Sequence, residues 1–245
     1  MEDLQSSYNL GLVALSFLMA VMGSFTALQL AIRIPVAEKH RLGFWVLTSG
    51  LALGGGAIWS MHFIAMLAMN MAFPMQFDMG LTILSLVIAV VFVSIGLIVA
   101  GRDLLGDASL ILGGAIAGLG VASMHYLGMY AMQVPAKISY DSTIVAVSVV
   151  IGIVASVVAL WLAFNLRGMF QRFGSAIIMG IAVCGMHYTG MYAATFTPDA
   201  SIQVASNAGL SSGGLAGTVS VITVALLATV LYLSYLRNKS ANTVA

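Results

Sequence analysis

The chain has 245 residues, 61% hydrophobic and only 7% charged, with nine Lys+Arg, eight Asp+Glu and a formal net charge of +1. Soluble domains average roughly 45–50% apolar and about 25% charged residues, so this composition excludes a soluble enzyme, a disordered chain and a nucleic-acid binder with its basic patch. A polytopic membrane protein remains; the single Cys, Cys184, also excludes a disulfide framework, an iron–sulfur cluster and a cysteine zinc site.

Seven apolar stretches are long enough to cross a bilayer as helices: residues 8–32, 44–70, 80–100, 109–132, 142–164, 174–195 and 216–236. Each runs about 20 or more nearly uncharged residues, which matches a hydrocarbon core of about 30 Å. Helices satisfy their own backbone groups in lipid, and no stretch alternates as a membrane barrel would. The first stretch has no basic flank before it and no small-residue cleavage pattern after it, so it is expected to be retained. Arg33, Lys39 and Arg41 follow it, with His40 expected to be solvated among them. In the second stretch, Gly54-Gly55-Gly56 reads as a packing surface. Trp45, Trp59 and Trp161 read as packing or interface anchors. Arg102 follows the third stretch, Arg167 and Arg172 the fifth, and Arg237 and Lys239 the seventh, whereas the alternate loops hold only Lys137. That eight-to-one split predicts an amino end outside and a carboxyl end in the cytoplasm. The Ser/Gly-rich segment 206–217 is expected as a mobile outer loop. Little follows Leu236, so the chain either works alone or is the membrane module of a longer protein.

Three segments repeat. Ser60-Met61-His62-Phe63-Ile64-Ala65-Met66, Ser123-Met124-His125-Tyr126-Leu127-Gly128-Met129 and Gly185-Met186-His187-Tyr188-Thr189-Gly190-Met191 place their histidines 63 and 62 residues apart. That period is two spans and two loops, so the copies share one orientation, as three parallel two-helix repeats plus one extra N-terminal helix. Pro74, Pro135 and Pro198 mark the outer loops, which also hold Asp78, Asp141 and Asp199. Each His is expected about 8–10 residues before its helix ends, roughly 12–15 Å below that end.

His at i and Met at i+4 share a helix face, which pairs His62 with Met66, His125 with Met129 and His187 with Met191; Met69 and Met132 extend that face. Met61, Met124 and Met186 point about a quarter-turn away. Three imidazoles with thioethers on converging helices describe a metal site. Thioethers select copper(I) and imidazole suits copper in both states, whereas zinc and iron sites more often recruit thiolate or carboxylate. Eleven of the 16 Met lie in the outer halves of these helices or in the loop after the first. Other readings stand beside this one. Met also serves as flexible packing, and His hydrogen-bonds across helices. Two His could hold a haem, although only Lys137 is at hand for its propionates. A proton pathway would more typically place carboxylates inside the spans. Cys184 reads as a packing residue.

Met186-His187-Tyr188-Thr189 spells MHYT, and Met124-His125-Tyr126 and Met61-His62-Phe63 are degenerate copies. The whole chain resembles the MHYT domain, a bacterial integral-membrane sensory module. The resemblance implies motifs near the outer face of the bacterial cytoplasmic (inner) membrane, in a multi-pass protein. It implies a copper site and a diatomic gas ligand, O2, CO or NO, with His62, His125 and His187 as ligands. Met66, Met129 and Met191, with Met61, Met124 and Met186, would complete or tune the site. The family's Tyr falls on Tyr126 and Tyr188, while Phe63, Ile64 and Ala65 depart from the pattern in copy one and Leu127 in copy two. The resemblance also implies a cytoplasmic diguanylate cyclase or phosphodiesterase domain, fused or associated at the carboxyl end, and no catalysis by this chain. The lipid bilayer is a further partner, no nucleic-acid partner is expected, and homodimerisation is left open. A copper transporter or channel, a haem-binding sensor and a structural membrane anchor remain as alternatives.

Overall fold

Long apolar runs close their backbone hydrogen bonds internally because lipid offers no partner. In a computed structural model of the chain they form seven helices long and apolar enough to cross a membrane. The structure describes residues 7–71, 75–101, 107–165, 168–199, 201–202 and 212–242; Pro74, Arg102, Arg167 and residues 206–211 lie outside them. The helices are α1 (Leu10–Ala31), α2 (Lys39–Leu67), α3 (Met79–Gly101), α4 (Asp107–Tyr130), α5 (Ser142–Asn165), α6 (Met169–Tyr192) and α7 (Ser212–Asn242). Ser212–Gly217, expected in a loop, is thus the first turn and a half of α7. Glycine and serine are weak helix formers in water, but a bilayer-spanning backbone has no better way to pair its groups.

The three motif helices, α2, α4 and α6, end at Leu67, Tyr130 and Tyr192. Each end lies five residues after the motif His, so each His sits about 7.5 Å below its helix end, shallower than the sequence suggests. The apolar run continues past the helix as strand, a distinction that hydropathy alone does not make. Six short strands, β1 (Ser7–Tyr8), β2 (Met69–Asn70), β3 (Gln76–Phe77), β4 (Met132–Gln133), β5 (Ala136–Tyr140) and β6 (Ala194–Pro198), form three antiparallel ribbons, β1–β2, β3–β4 and β5–β6. Met69 and Met132 therefore belong to strands and do not extend the helical His/Met face.

Each ribbon ties the chain entering a helix to the chain leaving a motif helix. The backbone N–H groups of Asn9, Asp78 and Asp141 donate to the carbonyls of Ala68, Ala131 and Ala193 at 2.7, 2.8 and 2.9 Å. The same three side chains cap α1, α3 and α5: Asn9 accepts from the Leu12 N–H, Asp78 from Leu81, and Asp141 from Thr143 and Ile144. Two of the loop aspartates are thus helix caps. Asp199 instead accepts from the hydroxyl and N–H of Ser201, which hold its carboxyl below the usual range.

In space, α1 to α6 form a closed ring, α6 returning to α1, and α7 packs outside it against α1 and α2. The sequence repeat runs motif helix to following helix, whereas the ribbons join α1 to α2, α3 to α4 and α5 to α6. Repeat and spatial unit are therefore offset by one helix. Small residues set the close approaches. A Cβ on Gly23 would lie 2.4 Å from the Ala57 nitrogen, one on Gly54 2.8 Å from the Ala89 backbone, and one on Gly56 2.6 Å from Leu227 of α7. The triple glycine is the packing surface expected of it. It lies within a nine-residue π-helical segment of α2, Leu51–Trp59, that ends two residues before Met61. Trp59 anchors this segment, donating from Nε1 to Ser85 Oγ at 3.1 Å, and Trp45 is buried beneath the Arg33 guanidinium. His40 is solvated, 3.3 Å from Glu38.

Candidate metal centre

Positions 62, 125 and 187 lie at matching heights on three inward-facing helices, and the ribbons tie each helix end at an equivalent carbonyl, Ala68, Ala131 or Ala193, six residues after its motif His. The three imidazoles meet on the ring's axis, 0–2% exposed. Their Nδ1 atoms form a triangle: 3.0 Å from His62 to His187, 3.1 Å from His125 to His62 and 3.3 Å from His187 to His125. Among the described residues these three form the one group of at least three His, Cys, Asp or Glu side chains able to hold a metal ion.

The triangle cannot be closed by hydrogen bonds. A neutral ring nitrogen is either a donor or an acceptor. A cycle of three has an odd number of members, so at least one contact always faces lone pair to lone pair or N–H to N–H. The other face of each ring gives no relief: Nε2 of His62, His125 and His187 is buried without a hydrogen-bond partner. Protonating the rings would gather positive charge within 3.3 Å in an apolar interior. A cation between the rings would resolve the conflict, because all three Nδ1 lone pairs could then be donated to it. The centre of the triangle lies about 1.8 Å from each nitrogen, a spacing close to the roughly 2.0–2.1 Å typical of imidazole–metal bonds, so the three rings could hold an ion between them.

Two of the rings are seated on glycine. A Cβ on Gly128 would lie 2.3 Å from His62 Nε2, and one on Gly190 2.3 Å from His125 Nε2. The glycine three residues after each of these motif histidines is thus the seat of the preceding motif's imidazole. Their placement at His+3 in two copies is the signal in the sequence that could have found this role. The tight seat bears on bis-histidine haem ligation alone. Axial ligands stand on opposite faces of a macrocycle, whereas these nitrogens converge on one point with helix backbone against two of the rings.

The methionines divide. Met66, Met129 and Met191 are buried together with Met69, Met132 and Phe196 in one apolar cluster at the ribbon end. Met61 packs with Ala20, Ala65, Cys184 and Tyr188, and Met124 and Met186 join the main core. Cys184 is unpaired and half-buried. The aromatic after each His pairs with the aromatic before each helix cap: Phe63 with Phe77 at 4.6 Å, Tyr126 with Tyr140 at 5.9 Å and Tyr188 with Tyr8 at 5.7 Å. The Tyr126 hydroxyl donates to Ser148, whose own hydroxyl donates to the Val145 carbonyl. This phenol is therefore committed to α5 and not to the triangle.

The family model for MHYT, described as a bacterial signalling protein N-terminal repeat, matches the chain three times, at residues 55–113, 118–176 and 180–243. The chain is 42% identical over 239 residues to the bifunctional diguanylate cyclase/cyclic di-GMP phosphodiesterase MucR of Pseudomonas aeruginosa, covering 96% of this chain and 35% of that protein. It is 34% identical to signaling protein YkoW of Bacillus subtilis, covering 80% of this chain and 25% of YkoW. It is 33% identical to cyclic di-GMP phosphodiesterase NbdA of P. aeruginosa, covering 91% and 29%. The chain thus spans between a quarter and about a third of the length of these relatives. No solved structure matches it.

Proposed function

The chain belongs to the MHYT family, and from that membership we propose that it senses a diatomic gas through copper held by His62, His125 and His187, and signals to cyclic-di-GMP turnover. It is a multi-pass protein of the bacterial inner membrane. The observation that carries the proposal is the odd cycle of Nδ1 atoms, a donor set that is complete only around a cation. Copper is preferred because the ligands are neutral nitrogens beside a thioether layer, with no carboxylate or thiolate in reach. Bound there, copper would supply an open coordination position to a small gas.

The chain's own residues do the rest. Gly128 and Gly190 orient two of the rings. Met66, Met129 and Met191 exclude water and present soft sulfur on the ribbon side, with Met61, Met124 and Met186 backing the motif from within. The charge split supports an outer position for that side, near the arriving ligand. Signalling requires that the ligand bind two packings of the motif helices with different affinity, and α7, packed on α2, leads to the carboxyl end. Cyclase or phosphodiesterase chemistry would reside in the remainder of a longer protein, as the names of MucR and NbdA suggest. A metal conduit would need further ligand tiers, and the triangle is the one such group among the described residues.

The test is elemental analysis of the chain in lipid nanodiscs, after loading with copper(I) and after copper(II). One copper per chain is expected, lost in the folded His62→Ala, His125→Ala, His187→Ala triple variant. No copper in the loaded wild type would overturn the copper reading and leave the anchor as the better one.

A further inference from the structure

The ring's axis is not filled on the side of the triangle away from the methionine layer. Ile58, Val121 and Val183, each four residues before a motif His, line a cavity of about 30 Å³ with Gly152, Ala155 and Met186. Four helical residues rise about 6 Å, so this cavity begins one turn beneath the imidazoles. Its size is at least twice the ~10–15 Å³ that holds a single water. Its walls do not hold water, however. An internal water needs two to four polar partners, and the lining offers one polar side chain, the Ser156 hydroxyl. Nor do they suit an ion, since the lining carries no charge. What fits is a small neutral apolar molecule, of the kind that concentrates in the hydrocarbon core of a bilayer.

An entry path is visible. Ala155, Ser156 and Ala159 of α5 and Ala182 of α6 line the cavity and are part-exposed. Where the wall between α5 and α6 is built of such small side chains, it is thin toward lipid. Met186 ends the cavity one residue before His187, and its Cγ lies 3.4 Å from where a Cβ on Gly152 would be. It is an unbranched side chain with three rotatable bonds, in the cavity wall and next in sequence to His187.

We propose that this cavity is a binding site for one small apolar molecule of about two heavy atoms, taken up from the lipid phase between α5 and α6. The binding site itself needs no metal. That its occupant goes on to the histidines, past Met186, rests on the function proposed above.

Xenon is the probe, because it is apolar, of suitable size and indifferent to copper. The full chain in nanodiscs would be titrated with xenon by 129Xe NMR, against empty nanodiscs. A saturable shift is expected in the wild type, kept in His62→Ala and lost in Ala155→Leu and Ala182→Leu, whose side chains fill the cavity. A response that only rises linearly with pressure, like that of empty nanodiscs, overturns the site. So does an unchanged saturable shift in both filled variants. The wild-type isotherm decides the matter even if a filled variant does not fold. If copper is absent and xenon saturates, the cavity site stands and the copper reading falls; if copper binds and xenon does not saturate, the reverse holds. In copper-loaded protein, Ala155→Leu is expected to slow gas association at least tenfold with unchanged copper content.

Discussion

The imidazoles of His62 and His125 are held against glycine with no spare room, so the smallest possible side chain is a strong perturbation. Gly128→Ala and Gly190→Ala each put a Cβ 2.3 Å from a buried Nε2, and the ring must move. The change alters no candidate ligand, yet affinity for copper is expected to fall about 10–100-fold, the range seen when the support of a ligating histidine is lost. Gly185→Ala is the matched control, in the same helix and two residues before His187, with nothing within 4 Å of its added Cβ. It is expected to leave affinity within about twofold and to favour the helix slightly. Competition titration with a copper chelator, beside circular dichroism, checks all three. The three histidines were legible in the sequence because period, depth and neighbouring Met agree. Their seats were not, because which ring meets which glycine depends on the order of helices around the axis.

At the scale of elements, the ribbons and caps set the heights at which the motif helices present their histidines. Asp78→Ala removes the acceptor for the Leu81 N–H at 2.8 Å. An N-cap loss of this kind costs about 0.5–2 kcal/mol, read as a lower melting temperature of the metal-free protein. Leu227→Ala acts at the other end of the scale. Leu227 is buried on Gly56 of the π segment, and a buried Leu→Ala change costs about 2–5 kcal/mol. It is expected to loosen α7 from α2, seen as faster amide exchange in both helices with the other helices unaffected. Seven spans, their approximate ends and the three-copy layout came from hydropathy and spacing. The strands did not, since two-residue pieces such as Met69–Asn70 and Gln76–Phe77 are too short to show alternation. The caps were hidden for a related reason: Asp78 and Asp141 mark loops in sequence, and only the fold makes them helix starts.

For the whole molecule, an ion held by His62, His125 and His187 would join α2, α4 and α6, one helix from each ribbon-tied pair. Metal that binds only the folded ring stabilises it by RT ln(1 + [L]/Kd), about 2.7 kcal/mol at a free concentration 100 times Kd. Copper-loaded wild type is therefore expected to melt at a higher temperature than the chelator-treated protein, and the triple His→Ala variant at one temperature with or without copper. The offset between sequence repeat and spatial unit also belongs to this scale, because ring closure between α1 and α6 is a tertiary event that no local pattern announces. Closure leaves α7 outside, and of the three motif helices it is α2 that α7 packs against. That contact gives Ile64 of copy one a neighbour of its own. Ile64, where copy three has Thr189, is fully buried in a cluster with Leu215, Ala216 and Val219 of α7. The three repeated segments are consequently no longer interchangeable. The first must also fit its neighbour, so a graft of copy three's sequence into copy one is expected to keep the three histidines together while loosening their helix from the last one.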